Sequence, residues 1–472
     1  MSHPHLLLAV VFLPFAGGIT LWAFPRRALA LGWVLGQAIL VLAFARLTWL
    51  HGPVGYAFGG WPSSFAITFR ADALGSAALF AATWVLLAVF AFSWKEKTAP
   101  GFYPLCFFLL FAVTGIFFTA DVFNLFVFFE VALMVSYGLV VTEASRTRLR
   151  AAIHYLAANL LASTIFFLGA ASLYAVTGTL SFSGIEQFLL DATPESRAPA
   201  RLAASLVLFA FFVKAGQFPF SFWLPAAYSV STGSVSAIFA ALMTKLGVFA
   251  IFRVMLLAFL PLASDFRAAM LVLGLATALA GALASFVQTT LRRVLAQLVI
   301  HSAGMMLVAG ALGSGAGWVA GWYYFFQSIL LGGGFFLLAS VIGKQRGVVG
   351  ERFLPCPNFS GRALLSVLFL FASATWAGLP PTSGFFAKKL ILLASGDAAP
   401  WVWPPLLLSS LLVVLSLGRA GVLLFWRQAS RSRPLSQKMP GSMILGSVLL
   451  LLATALFTLY TLRIESFLER LS

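Results

Sequence analysis

Six ionisable side chains fall within runs that are otherwise apolar. Glu130 lies inside FNLFVFFEVALMV, Lys214 ends LVLFAFFVK, Lys245 interrupts ALMTKLGVFAIF, His301 lies in VIHSAGMM, and Lys388 and Lys389 follow one another in GFFAKKLIL. A charge at the centre of a membrane-spanning helix costs about 2.5–3.5 kcal/mol on insertion scales if it faces lipid, so such groups face an interior, pair with one another or line water. One carboxylate and several amines spread over separate apolar runs suit proton exchange. The carboxylate can hold one lysine charged, and burying an ammonium with no acid beside it favours release of its proton. The plainer reading is a static Glu–Lys pair gluing helices together. It accounts for Glu130 and one lysine and leaves the other lysines without an acid.

The elements that must position these groups are read from composition. Hydrophobic residue types make up 61% of the 472 residues and charged types 9%. A chain this apolar, with runs of about 20 residues, is a polytopic all-α membrane protein. Fourteen spans are predicted, near 5–24, 29–50, 72–93, 102–120, 122–142, 149–175, 202–225, 233–260, 266–288, 291–312, 318–342, 362–396, 401–425 and 441–461. The N-terminal run carries its positive charges after the apolar stretch, which reads as a first transmembrane helix and not a cleaved leader. Residues 51–71 and 176–201 are the longest segments outside the spans, and FSGIEQFLL in the second reads as a short interfacial helix.

Loop charge orients these spans. Arg26, Arg27, Lys95, Lys97, Arg146, Arg148, Arg150, Arg292, Arg293, Lys344, Arg346, Arg352, Arg427, Arg431, Arg433 and Lys438 lie in odd-numbered loops. Even-numbered loops hold only Arg70, Arg197, Arg201 and Arg267. The positive-inside rule then puts both termini outside the cytoplasm. The net charge of +17 is thereby explained as topology. With no basic tail and no soluble domain, nucleic acid is excluded as a partner.

Two spans are interrupted. The seventh holds KAGQFPFSFWLPAAYS with Pro219, and the twelfth holds ATWAGLPPTSGFFAKK with Pro380 and Pro381. Proline removes a donor and clashes with the preceding turn, and in lipid the freed carbonyls need partners in protein or cavity water. A packing kink is one reading. Paired interruptions five spans apart also fit a transporter built from two repeats with discontinuous helices.

Other polar groups read more plainly. Arg46, Arg253 and Arg419 are long enough to snorkel, and Asp72 and Asp121 mark span boundaries. His154 is an entrance group or only a polar helix end. Ser163, Thr164, Thr244, Thr382 and Ser383 hold water or satisfy freed backbone. Cys106 and Cys356 are far apart, the histidines do not cluster, and GSGAG at 313–317 lacks a strand–helix context, so no metal site, cofactor or redox centre is expected.

The stretches FNLFVFFEVALMVSYGLVV, KAGQFPFSFWLPAAYSVSTGSVSAIFAALMTKLGVFAIFR, RRVLAQLVIHSAGMM and AGLPPTSGFFAKKLIL resemble the proton-conducting antiporter-like membrane subunits, a family that includes subunits of respiratory complex I and of multi-subunit Mrp antiporters. The match runs in order from about residue 55 to 395. YAFGGWPSSFAITFRADALG, YAVTGTLSF and WLPAAYS, with Ala226 and Tyr228, are most similar to the D-type subunit of Mrp antiporters.

The resemblance implies fourteen helices with two inverted five-helix repeats, each with a broken helix. The corresponding divisions are residues 1–101 (helices 1–3), 102–260 and 261–425 (the repeats), and 426–472 (loop, last helix and tail). It implies a proton relay through Glu130, Lys214, Lys245 and Lys388, with Lys389 an extra neighbour. The family's tenth-span histidine position is Ser302 here. His301 is displaced by one residue, about 100° of helix rotation.

The expected function is proton translocation in a multi-subunit Na+/proton antiporter of the bacterial cytoplasmic membrane, with other membrane subunits as partners and protons and sodium as transported ions. One buried acid makes a poor sodium site, since hard cations prefer several oxygens. This chain is therefore expected to carry the protons. The alternatives are a proton-pumping subunit of a complex I-like or hydrogenase assembly, a membrane subunit for inorganic-carbon uptake, and a purely structural bundle.

Overall fold

A computed structural model describes residues 3–61, 66–96, 98–142, 145–427 and 441–471. Lys97, Arg431, Arg433 and Lys438, counted above among the loop charges, lie outside them. Among the described residues, twelve helices are long and apolar enough to cross a membrane, and two shorter apolar helices, Phe102–Phe118 and Arg362–Ala377, fall where the fourth and twelfth spans were predicted. The protein is an α-helical multi-pass membrane protein. The segment before the third span adds a small antiparallel hairpin, Val54–Ala57 paired with Thr68–Ala71.

The chain divides into two compact units: residues 1–86, 98–215 and 246–266 form one, and residues 87–97, 216–245 and 267–472 form the other. In the first unit, the helix Val122–Val141 (the Glu130 helix) starts at Asp121, whose side chain accepts from Asn124 N–H at 2.7 Å. That is the boundary role expected of an N-cap aspartate. Burial raises the Asp121 carboxyl above its ordinary value, against the lowering by the backbone N–H groups of Asn124 and Phe123.

The helices Arg146–Thr177 and Pro194–Lys214 pack along one another. The predicted interfacial helix is Phe182–Asp191, which buries Phe182, Ile185 and Leu189 on one face. Arg253, read above as snorkelling, is instead buried and pairs with Asp72 at 2.5 Å. Each thereby shields the other's charge.

In the second unit the helix Gly315–Gln345 is buried from Gly317 to Ile342. The helix Leu291–Ala311 packs against it. Helices that carry no lipid face have freedom to be polar inside, and several of this unit's buried serines and glutamines lie on them.

The two interruptions are real breaks. The first helix ends at Lys214. Gly216 follows at φ +69°, the chain turns through Pro219, and helix resumes at Trp223. Phe218 N–H is satisfied by Thr277 Oγ1 at 3.0 Å. The second break follows Ala377: Gly378 caps the helix at φ +78°, the chain passes Pro380 and Pro381, and a second half-helix runs Ser383–Ala394. Its first free N–H, Ser383, bonds Thr458 Oγ1 at 2.9 Å.

Two glycines make this turn possible. Gly378 adopts a left-handed backbone that L side chains rarely take. A Cβ on Gly384 would sit 1.7 Å from Thr375 O, so only glycine lets the half-helix lie against the helix before the break.

Candidate functional site

In the first unit, three helices bring three polar side chains together. Lys214 Nζ lies 3.7 Å from Glu130 Oε1. It donates to Ser163 Oγ at 2.8 Å, and Ser163 Oγ donates in turn to Glu130 Oε1. Lys214 occupies the last turn of its helix, where a cation interacts favourably with the helix dipole. Its ammonium also lies 5.3 Å from the centre of the Phe129 ring. The pair is unevenly covered: the Lys214 side chain is 4% exposed and Glu130 is 19% exposed. The acid is the member with access to its surroundings, and the lysine is the member that depends on it.

The second unit holds Lys245 and Lys388, neither of which pairs with an acid among the described residues. Lys245 is 1% exposed and donates to Ala240 O at 2.7 Å. That carbonyl belongs to a π-helical turn, Phe239–Met243, inserted in the span Gly233–Leu257. The wider turn aims a backbone oxygen at the ammonium five residues on. Gly216, from the first break, lies near Thr244 beside this lysine.

Lys388 is also buried and donates to Ala377 O at 2.7 Å and to Ser410 Oγ at 2.9 Å. Ala377 is the last residue of the helix before the second break. The final carbonyls of a helix lack intrahelical partners, and Lys388 takes one of them. Lys388 also borders a cavity of about 320 Å³, lined mostly by apolar side chains. Lys389 borders the same cavity, but its side chain is exposed.

The histidines divide differently from their neighbours in sequence. His301 is fully buried, and its Nδ1 lies 3.0 Å from Ala278 O, on the helix Ala263–Phe286. The adjacent residue, Ser302, lines a small cavity of about 10 Å³ with Tyr324, Gln327, Ser328 and Thr375. One residue of rotation thus separates a histidine fixed on a neighbouring helix from a serine that borders a small cavity. His154 is exposed, whereas Tyr155 is buried and bonds Ser136 Oγ at 2.7 Å. The inward polar group near the start of that helix is the tyrosine.

Sequence reasoning gave Ser163 no definite role, and it passed over Glu96. Glu96 stands between two lysines in a loop that reads as simply basic. Its carboxylate accepts from Ser234 Oγ at 2.6 Å and from Lys344 Nζ at 3.0 Å. Ser234 lies in the first turn of the Lys245 span, where an anion is favoured by the helix dipole. A further pair joins Arg292 and Glu351 at 2.6 Å, and Arg292 also donates to Ser231 O at 2.6 Å. Burial raises the Glu351 carboxyl above its ordinary value although Arg292 pulls it down. Among the described residues no three His, Cys, Asp or Glu side chains come together as a metal-ligand set.

This geometry can now be set beside known proteins. Residues 119–416 match the sequence profile described as NADH:quinone oxidoreductase/Mrp antiporter, TM. The D-type subunit of a probable K(+)/H(+) antiporter of Rhizobium meliloti is 31% identical over 91% of this chain and 88% of its own length. The D-type subunit of a Na(+)/H(+) antiporter of Alkalihalophilus pseudofirmus is 28% identical over 95% of this chain and 93% of its own. In fold, a chain of the Mrp complex from a Dietzia species superposes with a TM-score of 0.89 at 24% identity, covering 99% of this chain and 96% of that one.

Proposed function

The chain belongs to the NADH:quinone oxidoreductase/Mrp antiporter transmembrane family, and we propose that it is the proton-translocating subunit of a multi-subunit Mrp-type monovalent cation/proton antiporter. The observation that carries this reading is the Glu130–Ser163–Lys214 cluster, with Ser163 and Lys214 buried and Glu130 partly so, on membrane-spanning helices. It is supported by relatives named as D-type antiporter subunits, which align over almost their whole length.

In this reading Glu130 sets the charge of Lys214. While the carboxylate is ionised it stabilises the ammonium. When Glu130 takes up a proton, that stabilisation is lost and the desolvated ammonium gives its proton up. Lys245 and Lys388 continue the relay, each resting its ammonium on a backbone carbonyl at a helix irregularity. Lys388 is the terminal group, with its cavity as the exit. His301, held against Ala278, stands outside the relay, as do exposed His154 and Lys389.

The same reading places the chain in the bacterial cytoplasmic membrane with both termini on the outer side, among other membrane subunits. Residues 102–260 and 261–425 are taken as the inverted repeats. Sodium and potassium are the cations to test.

The test is cation-driven proton movement in inverted membrane vesicles carrying the whole complex. Adding sodium or potassium chloride to vesicles with an imposed pH gradient should collapse that gradient. A complex that assembles fully and responds to neither cation would overturn the antiporter assignment in favour of a redox-linked or carbon-uptake assembly.

A further inference from the structure

Ser163 makes a contact that no other hydroxyl on its helix makes among the described residues. A serine or threonine inside a helix ordinarily bonds the carbonyl four residues back. On the helix Arg146–Thr177, Thr164 bonds Leu160 O, Ser172 bonds Leu168 O and Thr177 bonds Leu173 O. Ser163 instead points its hydroxyl into the ion pair, accepting from Lys214 and donating to Glu130. The direct Lys214–Glu130 separation is 3.7 Å, too long for a good hydrogen bond. The hydrogen-bonded path between base and acid therefore runs through Ser163 Oγ.

The surroundings hold it there. Ser163 is 3% exposed. It lies on the buried face of the helix with Tyr155 and Asn159, at four-residue spacing. The Tyr155–Ser136 bond ties that face to the Glu130 helix. Exposed Leu161 and Leu168 mark the opposite face.

We propose that Ser163 is a proton shuttle inside the pair. Lys214 passes a proton to Ser163 Oγ as the hydrogen already on Oγ moves to Glu130 Oε1. One N–H bond and one O–H bond break, and an O–H bond forms on Ser163 and another on Glu130. The ammonium and carboxylate become a neutral amine and a neutral carboxylic acid, and no charge leaves the pair. The reverse shift restores the ion pair, and it is the direction the relay uses: after Lys214 has released its proton onward, the proton taken up by Glu130 returns the lysine to its charged form. This deepens the antiporter reading and rests on it: the hydroxyl makes the switch between charged and neutral pair a short-range exchange that needs no water.

The experiment compares wild type, Ser163→Ala and Ser163→Thr in the intact complex, in vesicles, at matched amounts of assembled protein. General acid–base groups placed in this way contribute on the order of 10²–10⁴-fold to a proton-transfer step, so Ser163→Ala should lower the rate of cation-driven proton exchange by at least about tenfold. The half-saturating cation concentration should stay unchanged, and Ser163→Thr, which keeps the hydroxyl, should recover most of the rate. Wild type should also slow in deuterium oxide. An assembled Ser163→Ala complex that exchanges protons at the wild-type rate would overturn the shuttle. So would a Ser163→Thr complex as slow as Ser163→Ala, which would mark a packing role. Should Ser163→Ala fail to assemble, the solvent isotope effect decides, and its absence in both wild type and Ser163→Thr overturns the proposal. Wild-type exchange in the same assay secures the antiporter reading independently of the variants.

Discussion

Lys214 and Lys388 are both buried lysines beside a proline-containing break, but they are held by different partners. Lys214 rests on a carboxylate through a serine hydroxyl. Lys388 rests on the last carbonyl of a helix and on Ser410. A carboxylate can be titrated, so the charge on Lys214 can be switched by protonating its partner. A backbone carbonyl cannot change charge, so Lys388 keeps the same acceptors whichever protonation state it occupies. Lys245, on a carbonyl of the π turn, belongs with Lys388. The comparison shows two ways to keep an amine in an apolar interior. In the proposed relay a partner acid would make the lysine controllable, and a helix irregularity would make it a passive station.

Substitutions that remove one kind of partner and spare the other test this division. The largest effect is expected for Lys214→Ala, which leaves Glu130 without its base. Cation-driven proton exchange should fall on the order of 10²-fold or more in assembled complexes. Next comes Lys388→Ala, with a drop of at least about tenfold, against Lys389→Ala, which should stay near wild type because its exposed ammonium lies outside the proposed relay. Equal losses in the two would erase the distinction between the neighbours.

Gly384→Ala attacks the carbonyl-held site through the backbone, since its Cβ would meet Thr375 O at 1.7 Å. The half-helices must then separate, at about 1–3 kcal/mol of overpacking cost. Less assembled complex and a lower unfolding temperature should follow, measured in detergent.

The smallest effect concerns an acid–base pair outside the spans. Glu351 takes up its proton at a higher pH in the folded chain than in the unfolded one. Its contribution is therefore fully present below the ordinary carboxylate range and is lost as the pH rises through the raised value. The stability of wild type relative to Glu351→Gln should decline from acid to neutral pH, and a difference that grows with pH would refute the burial argument.

Much of this was legible in the sequence because hydropathy alone marks the spans, and charges inside them are costly enough to stand out. The break prolines mark the interrupted spans for the same backbone reasons that operate in the structure. What was not legible is which way a residue faces. In a membrane helix the lipid side and the protein side are both apolar, so no periodicity separates them. The reading therefore stopped at His154, one residue short of the inward Tyr155, and could not say that His301 is held by Ala278 while Ser302 borders a small cavity. The π turn under Lys245 left no sign in composition. Ser163 was visible only as one of several hydroxyls, and Glu96 was hidden by the lysines beside it.

The most direct test of the central claim, that Glu130 sets the charge of Lys214, is Glu130→Gln. This change keeps the shape and the hydrogen-bonding capacity and removes the titratable charge. Exchange would be measured in vesicles carrying the whole complex at matched expression. The account predicts that cation-driven proton exchange is lost while the complex remains assembled. Full wild-type exchange in the glutamine variant would contradict it and return Glu130 to a packing role.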